Sequence, residues 1–198
     1  MTIAIQETDH RRSLLLEKGA DLLLRSGYEG AEVSDLVRAA RLSERDFYQL
    51  FSSKEQFASE VLEAYTQQNI DFSRRLLGNK AVPAVKRLLK FYEANIRTVT
   101  VLLDFERGCL LSKIGQEMAF KCPLLANSVR ENLERLRQEI EQVLEEARQN
   151  GEIAAEHDLQ QLAQFIDSSW RGALLSANMS GEDAPLFAFR RYLERVLA

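Results

Sequence analysis

The side chains of this 198-residue chain that could do chemistry are few and mostly isolated. Cys109, Cys122, His10 and His157 are the only thiols and imidazoles, and no acidic or thiol partner stands at motif spacing from the histidines. A zinc site needs clustered Cys or His, and a thiol nucleophile needs a positioned base. Neither pattern is present, nor is a Gly-x-Gly-x-x-Gly or a P-loop to cradle phosphates. No cofactor, no metal and no enzymatic activity are expected; a thiol enzyme built on Cys109 has no local support. What stands out is the run 42–51. There Glu44, Arg45, Asp46, Tyr48, Gln49 and Leu50 face away from apolar Leu42, Phe47 and Phe51. A short helix with such a face, following another across a three-residue turn, can enter the major groove of DNA.

The elements that must position this run are readable from periodicity. Leu15, Leu16, Gly19, Ala20 and Leu23 put a helix over 11–25, and Gly27 stands where a left-handed terminal residue is wanted. Val33, Leu36, Val37 and Ala40 give a second, short helix. Ser43, three residues before Asp46, is an N-cap signal for a third, ending near Phe51. Ser53 and Gln56 form a capping-box pattern that opens a fourth over 54–77. Beyond Gly78-Asn79, helices are expected over 83–98, 124–149, 158–178 and 184–196. A short segment around Cys109 lies between Gly108 and Gly115. In the long helix, Val129, Leu133, Leu136, Ile140, Val143 and Ala147 alternate steps of three and four. Glu131–Arg135 and Arg137–Glu141 suggest a charge-paired outer face there. The expectation is an all-α chain of about nine helices, divided near residue 55.

Composition closes off other classes. Lys plus Arg is 26 and Asp plus Glu is 30, a net charge of -4, so a strongly basic nucleic-acid coat protein is excluded. Two cysteines make no disulfide scaffold. Three prolines and nine glycines are too few for a β-sandwich of this length, which turns every ~8–12 residues. The start, Met1–Glu7, shows no basic stretch followed by an apolar one. Apolar runs such as Val101-Leu102-Leu103 fall far short of the ~18 residues of a membrane span. A soluble, cytoplasmic protein with no membrane partner is expected.

Gly27-Tyr28, the Val-x-Asp-Leu stretch from Val33, Leu42-Ser43, Tyr48-x-x-Phe51 and Ser53-Lys54-Glu55 together resemble the N-terminal domain of TetR/AcrR-family transcriptional regulators. The likeness is specific over the first ~60 residues and, through length and helix count, extends over the chain. It implies a helix-turn-helix DNA-binding domain at 1–55, an effector-binding and dimerisation domain at 56–198, and a double-stranded, pseudo-palindromic operator as partner. Carried over by position, it assigns Tyr48 and Lys54 to phosphates and base reading to Arg45, Asp46 and Gln49, with Ser34, Arg41, Ser43 and Glu44 on the same surface. Arg suits guanine, Gln adenine, and Asp accepts from cytosine. Lys54 at a helix N-terminus adds to a site that already favours anions. Arg41 stands where the family often has Gly; a left-handed non-Gly residue costs about 1–2 kcal/mol, unless the turn differs or Arg41 itself reaches DNA. Residues 34–54 carry four cations against three anions, and residues 1–60 carry eight against eleven. That thin footprint predicts weak non-specific binding and a shallow salt slope per subunit.

The resemblance also implies a homodimer joined through the last two helices. Gly172, Ala173, Ser176 and Ala177 form a small-residue face beside Phe165, Ser169 and Trp170, while Phe187, Tyr192 and Val196 offer apolar surface on the last helix. Filling an intramolecular core is the alternative for these residues. Phe72, Phe91, Tyr92, Ile96, Leu103, Phe105, Cys109, Phe120 and Trp170 suggest an aromatic-rich effector pocket for a small apolar or electrophilic molecule, or plain core. Gly108-Cys109-Leu110 looks like the stretch found in electrophile-sensing repressors of the family. Arg107 and Lys113 would favour the reactive thiolate, and Glu106 and Glu117 oppose it. Cys122 reads as a helix-start residue, and a Cys109–Cys122 disulfide is conceivable. The combined expectation is a ligand- or thiol-responsive repressor. The alternative is a helical interaction module that has lost DNA binding.

Overall fold

The computed structural model describes residues 2–103, 105 and 108–198, with side chains from Glu7 onward. Among the described residues the secondary structure is nine α-helices and no strand. They are α1 (Thr2–Ser26), α2 (Val33–Ala40), α3 (Glu44–Leu50), α4 (Lys54–Leu77), α5 (Ala84–Arg97), α6 (Leu110–Met118), α7 (Pro123–Gln149), α8 (Leu159–Ser180) and α9 (Ala184–Val196), with a π-helical turn Thr98–Leu102 after α5. Two compact units result: Met1–Gln67 with Leu110–Asn132, and Gln68–Cys109 with Leu133–Ala198. The chain passes between them three times, inside α4, between Cys109 and Leu110, and inside α7.

In the first unit, Leu15, Leu23, Leu36, Val37, Phe47, Phe51, Phe57 and Leu62 are buried. Phe47, Phe51 and Phe57 pack ring against ring at 5.0–5.3 Å. α1 begins nine residues before the expected Arg11. The residues around Cys109 also differ from expectation: Leu110–Met118 is a helix, with Gly115 inside it. Gly115 is small for a reason, since a Cβ there would meet Val129 Cγ1 at 3.2 Å. α6 grips the end of α1. Lys113 donates to the Leu24 and Arg25 carbonyls at 2.7 and 2.9 Å, and Glu117 accepts from the Tyr28 and Glu29 amides at 2.7 and 3.2 Å. Gly27 makes this possible with φ +74°, as a Cβ would lie 1.9 Å from the Glu117 carboxylate.

In the second unit one apolar cluster gathers Leu88, Leu89, Tyr92, Ile140, Val143, Leu144, Leu162, Ile166, Phe189 and Leu193. A second gathers Ile96, Val99, Leu174, Ala177 and Leu186. Glu152 accepts from the Ala84 and Val85 amides, both at 2.9 Å, and so caps α5 where Pro83 offers no side-chain acceptor. On α7, Arg137 pairs with Glu134 rather than with the expected Glu141.

Candidate nucleic-acid interface

α2 and α3 form the expected helix-turn-helix, and the turn between them is defined by Arg41. Its backbone is left-handed (φ 55°, ψ 41°). The Leu42 amide reaches the Val37 carbonyl at 2.9 Å and the Arg41 amide reaches Arg38 at 3.2 Å. This is a Schellman motif with arginine where glycine is the easy choice. The end of α7 closes with the same pair of bonds, Glu152 to Ala147 and Gly151 to Arg148, and there the left-handed residue is glycine.

Ser43 caps α3 reciprocally. Its hydroxyl accepts from the Asp46 amide at 3.2 Å, while Asp46 Oδ2 accepts from the Ser43 amide at 2.9 Å and its hydroxyl at 2.6 Å. The Ser43 hydroxyl and then its N–H hold the Asp46 carboxyl below the usual range, with Arg11 and Arg45 adding to the effect. Asp46 is thereby a structural cap as well as a surface residue. Arg41, Ser43, Glu44, Arg45, Tyr48, Gln49 and Ser34 are exposed. Tyr48, 55% exposed, leans edge-on against Phe47 at 5.2 Å between ring centres. Phe47 is fully buried and anchors the helix.

Lys54 opens α4 and lies over the Tyr28 ring, 4.5 Å from its centre. Burial of Tyr28 and its hydrogen bond to Glu55 push its hydroxyl well above the usual range. The α4 cap differs in one detail from the pattern read in the sequence. Ser53 accepts from the Gln56 amide, but Gln56 reaches back to the Ser52 amide at 2.8 Å, not to Ser53.

Sequence reasoning missed two residues of α1. Arg11 donates to Asp46 Oδ1 at 3.1 Å. Arg12 donates to the Leu50 carbonyl at 2.9 Å, pairs with Glu60 and lies 4.6 Å from the Phe51 ring centre. Both ends of α3 are therefore held from α1. The only signal was a dibasic pair, whose partners lie 35 and 38 residues away.

The predicted effector-pocket residues divide. Phe91, Tyr92 and Trp170 join the larger cluster of the second unit, where Tyr92 meets Trp170 at 5.4 Å and Phe189 at 4.9 Å. Phe72 lies 6.2 Å from Phe91. Ile96 is buried in the smaller cluster, against which Phe105, Cys109 and Trp170 pack. Leu103 is half-buried. Phe120 is the correction: it is 103% exposed on the turn between α6 and α7 and lines no interior. A polar cluster borders Tyr92: burial pushes the Asp167 carboxyl upward against the pull of Arg171, 2.6 Å away. Both cysteines are free and half-buried. Of the expected thiolate neighbours, Lys113 is committed to the α1 carbonyls, and Arg107 and Glu106 lie outside the described residues. Along α8, Phe165, Gly172, Leu175, Ser176 and Met179 are exposed, as are Phe187 and Tyr192 of α9. Ser169, Ala173 and Val196 are half-buried, with Ala173 and Val196 packed on the apolar clusters. A groove of about 680 Å³ runs beside Ile96, Arg97, Val101, Phe187 and Arg191. Among the described residues no helix is long and apolar enough to cross a membrane, and no group of three acidic, His or Cys side chains could hold a metal.

Comparison with known proteins places this geometry. Residues 15–61 match the family described as bacterial regulatory proteins, tetR family, and residues 84–193 match the tetracyclin repressor-like C-terminal domain. The chain is 30% identical to the transcriptional regulator AcuR of Cereibacter sphaeroides, over 91% of this chain and 82% of that one. It is 29% identical to the transcriptional repressor DhaR of Mycobacterium sp. strain GP1, over 90% and 87%. The crystal structure of the reduced form of Escherichia coli NemR superposes with a TM-score of 0.85 at 26% identity, covering 96% of this chain and 97% of that one. With both halves matched and these relatives named as regulators rather than enzymes, the chain belongs to the TetR family of bacterial regulatory proteins.

Proposed function

We propose that this chain is a homodimeric, DNA-binding transcriptional repressor, released from its operator by a small molecule or by modification of Cys109. Residues 1–55 carry the DNA contacts in this reading, and 56–198 the effector and dimer contacts. One observation carries it: α3 is capped at its start and pinned at its core, yet turns Arg45, Tyr48 and Gln49 to solvent. Rigid support with polar, exposed tips is what major-groove reading requires. Lys54, with Tyr48, would supply the phosphate contacts that set register.

Support for two-fold pairing is the exposed stripe Phe165, Gly172, Leu175, Ser176 and Met179 with Phe187 and Tyr192. Large exposed apolar patches mark interaction sites. Two such protomers would present their α3 helices to major grooves ~34–36 Å apart, and an effector would act by favouring a different spacing. The aromatic group Phe91, Tyr92 and Trp170, bordered by Asp167 and Arg171, supports an effector site within 56–198. Thiol sensing rests on the half-buried free Cys109 and on likeness to NemR, described in a reduced form.

The test is a gel shift with the DNA flanking the protein's own gene at low salt. Retardation is expected; no retardation by a folded dimer favours an interaction module that has lost DNA binding. Electrophile treatment should release the DNA, and Cys109→Ser should prevent release if the thiol is the sensor.

A further inference from the structure

The surface that meets DNA extends beyond the helix-turn-helix to Arg11 of α1. We infer that Arg11 is a specificity-determining residue: it withdraws Asp46 from base reading and offsets part of its charge against the duplex. This rests on the DNA-binding reading above.

Three observations carry it. Asp46 is the third residue of α3, and the N-terminal residues of a recognition helix are those that meet base edges. A bare carboxylate there would repel phosphates and accept from a cytosine amino group. Both Asp46 oxygens are already engaged: Oδ2 accepts from the Ser43 amide and hydroxyl, and Oδ1 accepts from Arg11 Nη1 at 3.1 Å. Arg11 is half-buried, with 40% side-chain exposure against 25% for Asp46, so the pair sits at the surface rather than in the core. Arg11 also pairs with Glu7 one turn earlier on α1, so its charge is shared between the two carboxylates while Nη1 stays on Asp46. Arg12 has a different task, since it is tied to Leu50, Glu60 and Phe51 and fixes the other end of α3. α1 thus separates a charge-masking arginine from a purely positioning one.

The experiment uses the full-length protein and a randomised duplex library, followed by titration of the best wild-type site. Arg11→Met frees the Asp46 carboxylate. Dimer affinity is expected to fall roughly tenfold, and the salt slope to fall by about 0.9 per subunit. The selected sites are expected to gain a cytosine preference at one position per half-site. The double variant Arg11→Met/Asp46→Asn keeps an acceptor for the Ser43 cap and should return affinity to within about threefold of wild type. Arg11→Lys keeps the charge and should stay near wild type. The inference is overturned if Arg11→Met leaves affinity and selected sequence unchanged. It is equally overturned if affinity falls for Arg11→Met and the double variant, shown by circular dichroism to be folded at the assay temperature, does not recover it. Failure of the wild-type protein to enrich any duplex would instead overturn the regulator reading, and with it this inference.

Discussion

Replacing Arg41 by glycine separates stability from DNA binding at a single position. Arg41 is left-handed at φ 55°, and the Schellman bonds that require this backbone use only main-chain atoms. Glycine would keep both bonds and remove the Cβ clash, a relief of about 1–2 kcal/mol. It would also loosen the unfolded chain by about 0.5–1 kcal/mol. The balance is a stabilisation of at most about 1.5 kcal/mol. For a chain of this size that is a rise of at most about 6 °C in melting temperature, measured at fixed protomer concentration. The exposed guanidinium is lost at the same time. If it meets a phosphate, the salt slope of operator binding falls by about 0.9 per subunit. Calorimetry and fluorescence anisotropy read the two effects independently. Destabilisation of the Arg41→Gly variant by about 1 kcal/mol or more would refute the strain argument, and an unchanged salt slope would remove Arg41 from the interface.

Four further outcomes are expected. Gly27→Ala forces a left-handed alanine into the Glu117 carboxylate and should cost about 2–4 kcal/mol by urea denaturation; a wild-type midpoint would contradict the α1–α6 grip. Ser43→Ala removes the α3 cap and should cost about 0.5–2 kcal/mol, together with a loss of operator affinity. A Cβ at Gly172 meets nothing within 4 Å, so Gly172→Arg should leave the circular dichroism of the protomer intact while sedimentation shows monomers; an unchanged dimer would move the interface elsewhere. The lowered Asp46 carboxyl contributes stability that is complete above its ordinary value of 3.8 and lost as pH falls through its lowered one. The penalty of Asp46→Asn should therefore be present at pH 7 and vanish in acid; a penalty independent of pH would exclude the charged cap.

The helix-turn-helix was legible because its signals are local. Ser43 and Asp46 lie three residues apart, Gly27 punctuates α1, and Val33, Leu36, Val37 and Ala40 repeat at helical spacing. What escaped the sequence depends on partners far along the chain. Arg11 and Arg12 gain meaning only from Asp46 and Leu50, and Glu117 only from Gly27 and Tyr28. Phe120 shows the opposite error: an aromatic residue suggests an interior, but the tight turn between α6 and α7 points it to solvent. Gly115 reads as a break but lies inside α6, where a Cβ would come within 3.2 Å of Val129 Cγ1. Of the small-residue face read on α8, Gly172 and Ser176 are exposed, whereas Ala177 is buried and Ala173 half-buried against the core with Leu174, because inward and outward sides of the helix separate only once it has a core to pack against.

Hydroxyl-radical footprinting of the gene-flanking DNA tests the central claim most directly. Two protected patches are expected, their centres one helical turn or a whole number of turns apart, and both should be lost when Gln49 and Arg45 become alanine. Uniform cleavage in the presence of saturating folded protein, or protection that survives that double substitution, would contradict the account.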